Sequence, residues 1–385
     1  MAAPADTIFV DGEVHVDPGE DRTEEALAVR DGTVCRIADT YEVEFLEGIE
    51  TRRVDLDGRT VLPGFVDGHA DLFRLGQRLR GSEDGSGTEP TGVEHARSNL
   101  TAAFDALLDA GITTVFDEVR HPETARAYYE LALADELPIR GRLSYRENAV
   151  STERPTPLEA VRTLGLVSGV GNDRLAIDSL GIDASDRPTT AVQDFVERAT
   201  ETGFRVSATA ADAPALERLL SALDGDDANQ SRLWLDGGPS EEHVQALADL
   251  GATVVGRPGP MGESDEQETA ENGGDTTRDL QFGPLVAAGV PVAFGSDGSR
   301  PAPLRDVERS LGASPDTRLG VTAALRAATG GTGMRSPAGS SIGTLDVGAP
   351  ADFVVLSASP WETPVADLAV ELTVVDGSIE YDRLG

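Results

Sequence analysis

Residues 61–71 read VLPGFVDGHAD, an apolar run with β-branched residues that ends in Gly68, His69 and Asp71. A short apolar run bounded by polar punctuation is the pattern of a strand buried on both faces, with polar side chains at its C-terminal end. Different textures lie on either side of it. Upstream, alternating segments such as TIFVDGEVHV and ALAVRDGTVCRI are separated by Asp11-Gly12, Asp31-Gly32 and Asp57-Gly58. Asp-Gly suits a tight hairpin, because both central residues of a type I′ turn need positive φ. Downstream, strand-like runs alternate with helical ones.

Eight strand candidates follow from that alternation: Val61 to Val66, Ile112 to Asp117, Ile139 to Tyr145, Arg174 to Asp178, Phe204 to Thr209, Arg232 to Asp236, Ala252 to Arg257 and Val290 to Asp297. Helical patterns such as TAAFDALLDAG and ETARAYYELALADE separate them, several closed by the Gly that favours a helix C-cap. Eight β/α units predict a (β/α)8 TIM barrel, whose functional side chains sit at the C-terminal strand ends. Near the far end ADFVVLSAS and LAVELTVVDGSIEY return to the hairpin texture, with Asp376-Gly377. The expected organisation is α/β: a distorted barrel over 61–339 and a small composite β-sandwich built from 1–60 and 340–385. Two polar stretches, 81–92 and 262–277, would lie at the barrel mouth as solvated loops.

The chain has 385 residues, 68 Asp plus Glu against 32 basic residues, and a formal net charge of −36. That balance repels nucleic acid and anionic membranes, and it keeps a protein soluble in concentrated salt, where repulsion is screened. A halophilic cytoplasm is the expected setting, since no apolar run spans a bilayer and the N-terminus lacks signal-peptide character. All the basic residues are Arg. Without lysine there is no Schiff base to PLP, no P-loop lysine and no carboxylated lysine bridging two metals. The single cysteine, Cys35, excludes an internal disulfide and a thiolate cluster.

The strand ends supply the candidate site: His69 and Asp71, Asp117 and Glu118, Tyr145 and Arg146, Asp178 and Ser179, Thr209, Asp236, Arg257, and Ser296 and Asp297. A metal hydrolase needs a cation, held by His or carboxylate, that polarises a carbonyl and lowers the pKa of water. His69, Asp71 and Asp297 could supply three ligands for one divalent ion, zinc or manganese, and Asp297 could accept the proton of the attacking water. His95 could approach the mouth, His121 reads as a residue at a helix start, His243 as the outer face of a helix, and His15 as structural.

Residues 63–71 resemble the first barrel strand of the amidohydrolase superfamily, where Pro-Gly-Phe-(Ile/Val)-Asp-x-His-x-His carries two metal-binding histidines; here the second is Asp71. Ala110 to Val115, and Leu137-Pro138-Ile139-Arg140 after the next helix, are similar to the second and third units of its "family three" group. Phe294-Gly295-Ser296-Asp297 resembles that group's eighth strand, whose aspartate binds metal and acts as general base, and Gly343 to Leu356 resembles its return into the small sheet domain. The resemblance spans essentially the whole chain and implies a barrel hydrolase of non-peptide C–N bonds in small molecules. Its metal set is depleted: Ala176 is the nearest match to the fourth-strand lysine, Thr209 stands for the fifth-strand histidine and Gly237 for the sixth. The expectation is therefore an amide, lactam or N-acyl hydrolase with at most a single-metal site, its alternative a non-catalytic barrel with a binding or partner role. A homodimer is among the assemblies this admits.

Overall fold

The computed structural model describes residues 3–20, 22–81, 89–147, 156–223, 230–258, 280–312, 314–315, 317–331, 334 and 342–384. Eight strands, Phe65–Ala70, Ile112–Val119, Arg140–Arg146, Leu175–Asp183, Arg205–Ala210, Arg232–Leu235, Thr253–Gly256 and Val292–Phe294, pair in sequence order and in parallel. The eighth returns to the first. There Ser296 N and Asp297 N both donate to His69 O, at 3.1 and 2.9 Å, and close the upper rim. Helices cover the outside through apolar stripes: Val93–Asp109 buries Ala96, Leu100, Ala103, Phe104 and Leu107, the spacing of one helix face.

The opening stretch divides into two strands rather than one. Thr60–Pro63 pairs antiparallel with Phe353–Leu356 and parallel with Glu13–His15, inside a six-stranded sheet drawn from both ends of the chain. The barrel begins only at Phe65. Gly64 is the hinge between the two sheets, and a Cβ there would collide with the Thr113 side chain. A four-stranded sheet of Thr7–Val10, Ala26–Arg30, Thr33–Ala38 and Arg52–Asp55 completes the composite unit. Phe9, Leu27, Val29, Val61, Phe353 and Leu372 share its core.

The composite unit is tied to the floor of the barrel by charge. Arg140 Nε and Nη2 donate to the two Asp352 oxygens at 2.7 and 3.0 Å, and Arg140 also pairs with Asp376. Arg174 Nη1 donates to Asp376 Oδ2 at 2.9 Å.

The fourth strand corrects the sequence reading. It runs on to Asp183, so Asp178 and Ser179 lie inside the barrel below the mouth. Asp178 is fully buried and accepts from Arg232 and, at 3.4 Å, from Arg205. Arg232 also lies 4.2 Å over the Phe116 ring. Buried pairing lets a charged residue stand mid-strand, where sequence alone suggests a strand end. Ala176 likewise lies near the start of this strand, far from the mouth. Of the two polar stretches, 82–88 and all of 262–277 fall outside the described residues. Among the described residues no helix is long and apolar enough to cross a membrane.

Candidate active site at the barrel mouth

Strand alternation at the end of the first strand places Asp67, His69 and Asp71 on one side of the chain. Asp67 is buried and accepts from Ser296 Oγ at 2.5 Å, Ser296 N at 3.0 Å and His69 N at 3.2 Å. Burial raises its pKa to about 6 against those hydrogen bonds. The clamp fixes Ser296 and so delivers Asp297 beside His69, with Nε2 to Oδ1 at 3.9 Å. Asp297 holds a left-handed φ of 45°, followed by Gly298 at 72°. A non-glycine residue keeps that conformation only where its surroundings hold it, here through the bond to His69 O. The His69 ring stacks on Trp234 at 4.7 Å and 21°. Trp234 Nε1 donates to Asp236 Oδ1 at 2.6 Å, and burial raises Asp236.

Asp71 is engaged through both oxygens. Oδ1 accepts from Arg74 N at 3.1 Å and so caps helix Leu72–Leu79, while Oδ2 accepts from Arg120 Nε at 3.2 Å. Burial raises its pKa, with Arg120 opposing. Asp117 faces outward, accepting from Leu72 N and Tyr128 OH, both at 2.8 Å. Burial, then the charge of Asp71, lifts it to about 8. Glu118, one residue on, faces inward. It accepts from Arg146 Nη1 at 2.5 and 2.6 Å and from Arg120 Nη2 at 2.6 Å. Burial acts to raise Glu118, yet Arg146, Arg120 and His69 together hold it at about 2. Arg146 Nη2 reaches Asp183 Oδ2 at 2.8 Å.

The structure thus brings together His69, Asp71, Glu118, Arg146, Asp236, Ser296 and Asp297. Arg257 joins them by donating to Ser296 O. Thr209 is buried near the strand end, its hydroxyl without a hydrogen-bond partner among the described residues. Tyr145 instead meets Tyr129 on the outside, OH to OH at 3.1 Å. His95 packs on Phe73, and His121 stands at the N-cap of helix Pro122–Leu133 with no side-chain cap bond. His243 is corrected: its side chain is largely buried and lies 3.7 Å from Glu217 on the preceding helix. His15 is buried and stacked on Trp361, as a structural residue would be. Sequence reasoning missed Arg120, Asp183 and Trp234. The signal for Arg120 was its place two residues after Glu118, just beyond the end of the second strand.

A cavity of about 330 Å³ opens at the rim between the first two β/α units, lined by Asp71, Phe73, Arg74, Gln77, Glu118, Arg120, His121 and Thr124. Its lining includes two carboxylates, Asp71 and Glu118, and two guanidinium groups, Arg74 and Arg120. The Amidohydrolase family model matches residues 83–381. The chain belongs to the amidohydrolase family. Among its relatives in this family, the imidazolonepropionase of Haloarcula marismortui is 25% identical over 382 residues, covering 86% of this chain and 83% of that protein. The imidazolonepropionase of Streptomyces coelicolor is 37% identical over 91 residues, 22% of this chain and 23% of that protein, so this match spans about a quarter of the relative. An adenosine deaminase from Xanthomonas campestris with bound zinc superposes with a TM-score of 0.76 at 17% identity, covering 99% of this chain and 94% of that one. At that identity the likeness concerns the fold.

The family's metal centre can be tested against these donors. Among the described residues no group of three or more His, Cys, Asp or Glu is placed to hold a metal ion. His69 and Asp297 remain as a pair, one short of the three protein ligands of a catalytic zinc site. Asp71, the expected third, gives one oxygen to a helix terminus and the other to Arg120. At the fifth strand Thr209 offers a neutral hydroxyl, and Gly237 offers no side chain. Among the described residues, the donors at this mouth therefore do not make up a three-ligand metal site.

Proposed function

We propose that this protein hydrolyses a non-peptide C–N bond, of an amide, lactam or N-acyl group, in a small molecule bound at the barrel mouth. The observation that supports it is the His69–Asp297 pair at 3.9 Å, its Asp297 side chain 37% exposed and therefore open to water and substrate. Asp297 takes one proton from a water molecule held against His69, and the hydroxide adds to the carbonyl carbon. The C–N bond then breaks as Asp297 returns the proton to the leaving nitrogen, so the carboxylate is regenerated. Arg120, 34% exposed, stands on the same rim as the cation able to stabilise the oxyanion. Asp71 enters as the anchor of Arg120 and of a helix, so the three-ligand arrangement of His69, Asp71 and Asp297 is not carried forward.

The relatives' name, imidazolonepropionase, puts imidazolone rings among the substrates to try. A non-catalytic barrel gains no support from relatives whose names are those of enzymes. We infer a salt-rich cytoplasm as the setting from the net charge of −36. The test is a screen of lactams, ureides, N-acyl amino acids and imidazolones in concentrated KCl with the wild type and Asp297→Asn. Turnover that falls roughly 10²–10⁴-fold in the variant is expected for loss of a general base. Well-folded wild type that turns over none of these classes would overturn the reading, and an unimpaired variant would remove Asp297 from it.

A further inference from the structure

We infer that Arg120 is the resident cation of this site, its guanidinium held between the ends of the first two barrel strands where a divalent metal would otherwise neutralise the carboxylates. Arg120 Nε reaches Asp71 Oδ2 at 3.2 Å and its Nη2 reaches Glu118 Oε2 at 2.6 Å. Both carboxylates are nearly inaccessible, with side chains 9% and 2% exposed. Buried carboxylates need a cation or a proton, and Glu118 keeps its charge because two guanidinium groups face it. The field of Asp297 also reaches Arg120 and, after Glu118 and Asp71, helps to hold its proton against burial. Arg120 therefore joins the ends of the first and second strands through two charge-assisted hydrogen bonds.

A guanidinium is a permanent charge with directional donors, so it needs neither loading nor a deprotonated ligand set. A divalent ion entering here would meet the positive charge of Arg120 and would have to displace two charge-assisted hydrogen bonds. The site is thus both filled and protected against adventitious metal. The functional consequence of this inference rests on reading the mouth as the reacting centre, whereas its test reads metal and stability and needs no substrate.

The experiment compares wild type with Arg120→Gln and Arg120→Lys, all purified in concentrated KCl. Metal content is measured by elemental analysis, and thermal unfolding is followed with EDTA and with added Mn²⁺ or Zn²⁺. Wild type should hold no stoichiometric metal, and its melting temperature should be unchanged by chelator or by either ion. Arg120→Gln uncovers Asp71 and Glu118 beside Asp297, so its melting temperature should be low and should rise with Mn²⁺ as binding to the folded state stabilises it. Arg120→Lys, which keeps a cation, should stay unresponsive to metal. A wild type carrying a stoichiometric ion that chelator removes would overturn the inference, and so would an Arg120→Gln protein as stable as wild type and indifferent to metal. If Arg120→Gln does not fold, the wild type and Arg120→Lys still decide between the outcomes.

Discussion

Replacing Glu118 by Gln keeps the shape of the side chain and removes the charge that Arg146 and Arg120 both face, in a position 2% exposed. Two guanidinium groups would then share an uncharged partner, a loss that costs about 3–5 kcal/mol when a buried pair is broken. Chemical denaturation of Glu118→Gln at neutral pH should show a fall of that order, and a loss under about 1 kcal/mol would mean that the network is solvated. The pH dependence has a definite sign. Glu118 sits at about 2 in the fold against an ordinary 4.5, so its contribution is present above pH 4.5 and fades as pH falls through 2. Asp306 behaves oppositely. Burial lifts it from 3.8 to about 7 despite Arg257 and Arg309, so its contribution is complete below 3.8 and is lost as pH rises through about 7. Asp306→Asn should therefore flatten the decline in stability between about pH 4 and 7, by up to roughly 4 kcal/mol for a shift of that size. Equal slopes in wild type and variant would show that Asp306 is ionised in the fold throughout. Glu118 and Arg146 were legible as polar strand ends, and Asp297 as the Gly-Ser-Asp of the eighth strand. The guanidinium of Arg120 was not, because only the register of the second strand turns it toward Asp71.

Helix Leu72–Leu79 shows how an element can explain a residue that a motif misassigns. An Asp directly before a helical run is an N-cap signal, and Asp71 does cap Arg74 N. Its alignment with a family histidine hid that signal. Asp71→Ser keeps a capping oxygen and Asp71→Ala does not, while both lose the bond to Arg120. The alanine variant should be less stable than the serine variant by about 1 kcal/mol, read by thermal or urea unfolding. Identical stabilities would remove the cap from the account. Further along the same helix, Gly76 decides between two opposed effects. Ala is favoured over Gly in a helix interior by about 1 kcal/mol. A Cβ at Gly76, however, would collide with the Asn99 carbonyl of the neighbouring helix. Backbone cannot yield cheaply, so overpacking wins and Gly76→Ala should destabilise by about 1–3 kcal/mol. A stabilised variant would mean that the two helices part without cost.

At the scale of the molecule the barrel was legible because its signal is repetition: each of the eight expected strands has a counterpart, and hairpin texture at both ends meets in one six-stranded sheet. Places where a strand ends or changes sheet were less legible. Asp178 looked like a terminus because its charge is masked only in three dimensions by Arg232 and Arg205, and Gly64 looked like strand interior because its neighbour Thr113 lies on another strand. Net charge is the property of the whole chain with the plainest consequence. An excess of 36 negative charges repels itself in the compact state. Raising salt from about 0.1 to 1 M shortens the screening length from about 10 to about 3 Å, which weakens repulsion across the surface most. It also weakens exposed pairs such as Arg22–Glu24, but these contribute only about 0–1 kcal/mol each. Buried pairs such as Arg146–Glu118 are screened least. Repulsion therefore dominates the response, and the melting temperature should climb steeply with KCl up to about 1 M and more slowly beyond it, where little field is left to screen. Circular dichroism melts across a KCl series test this directly. A melting temperature that is flat or falling over the first molar would show that the acidic side chains are spaced too widely to repel, and the case for a salt-rich setting would fall with it.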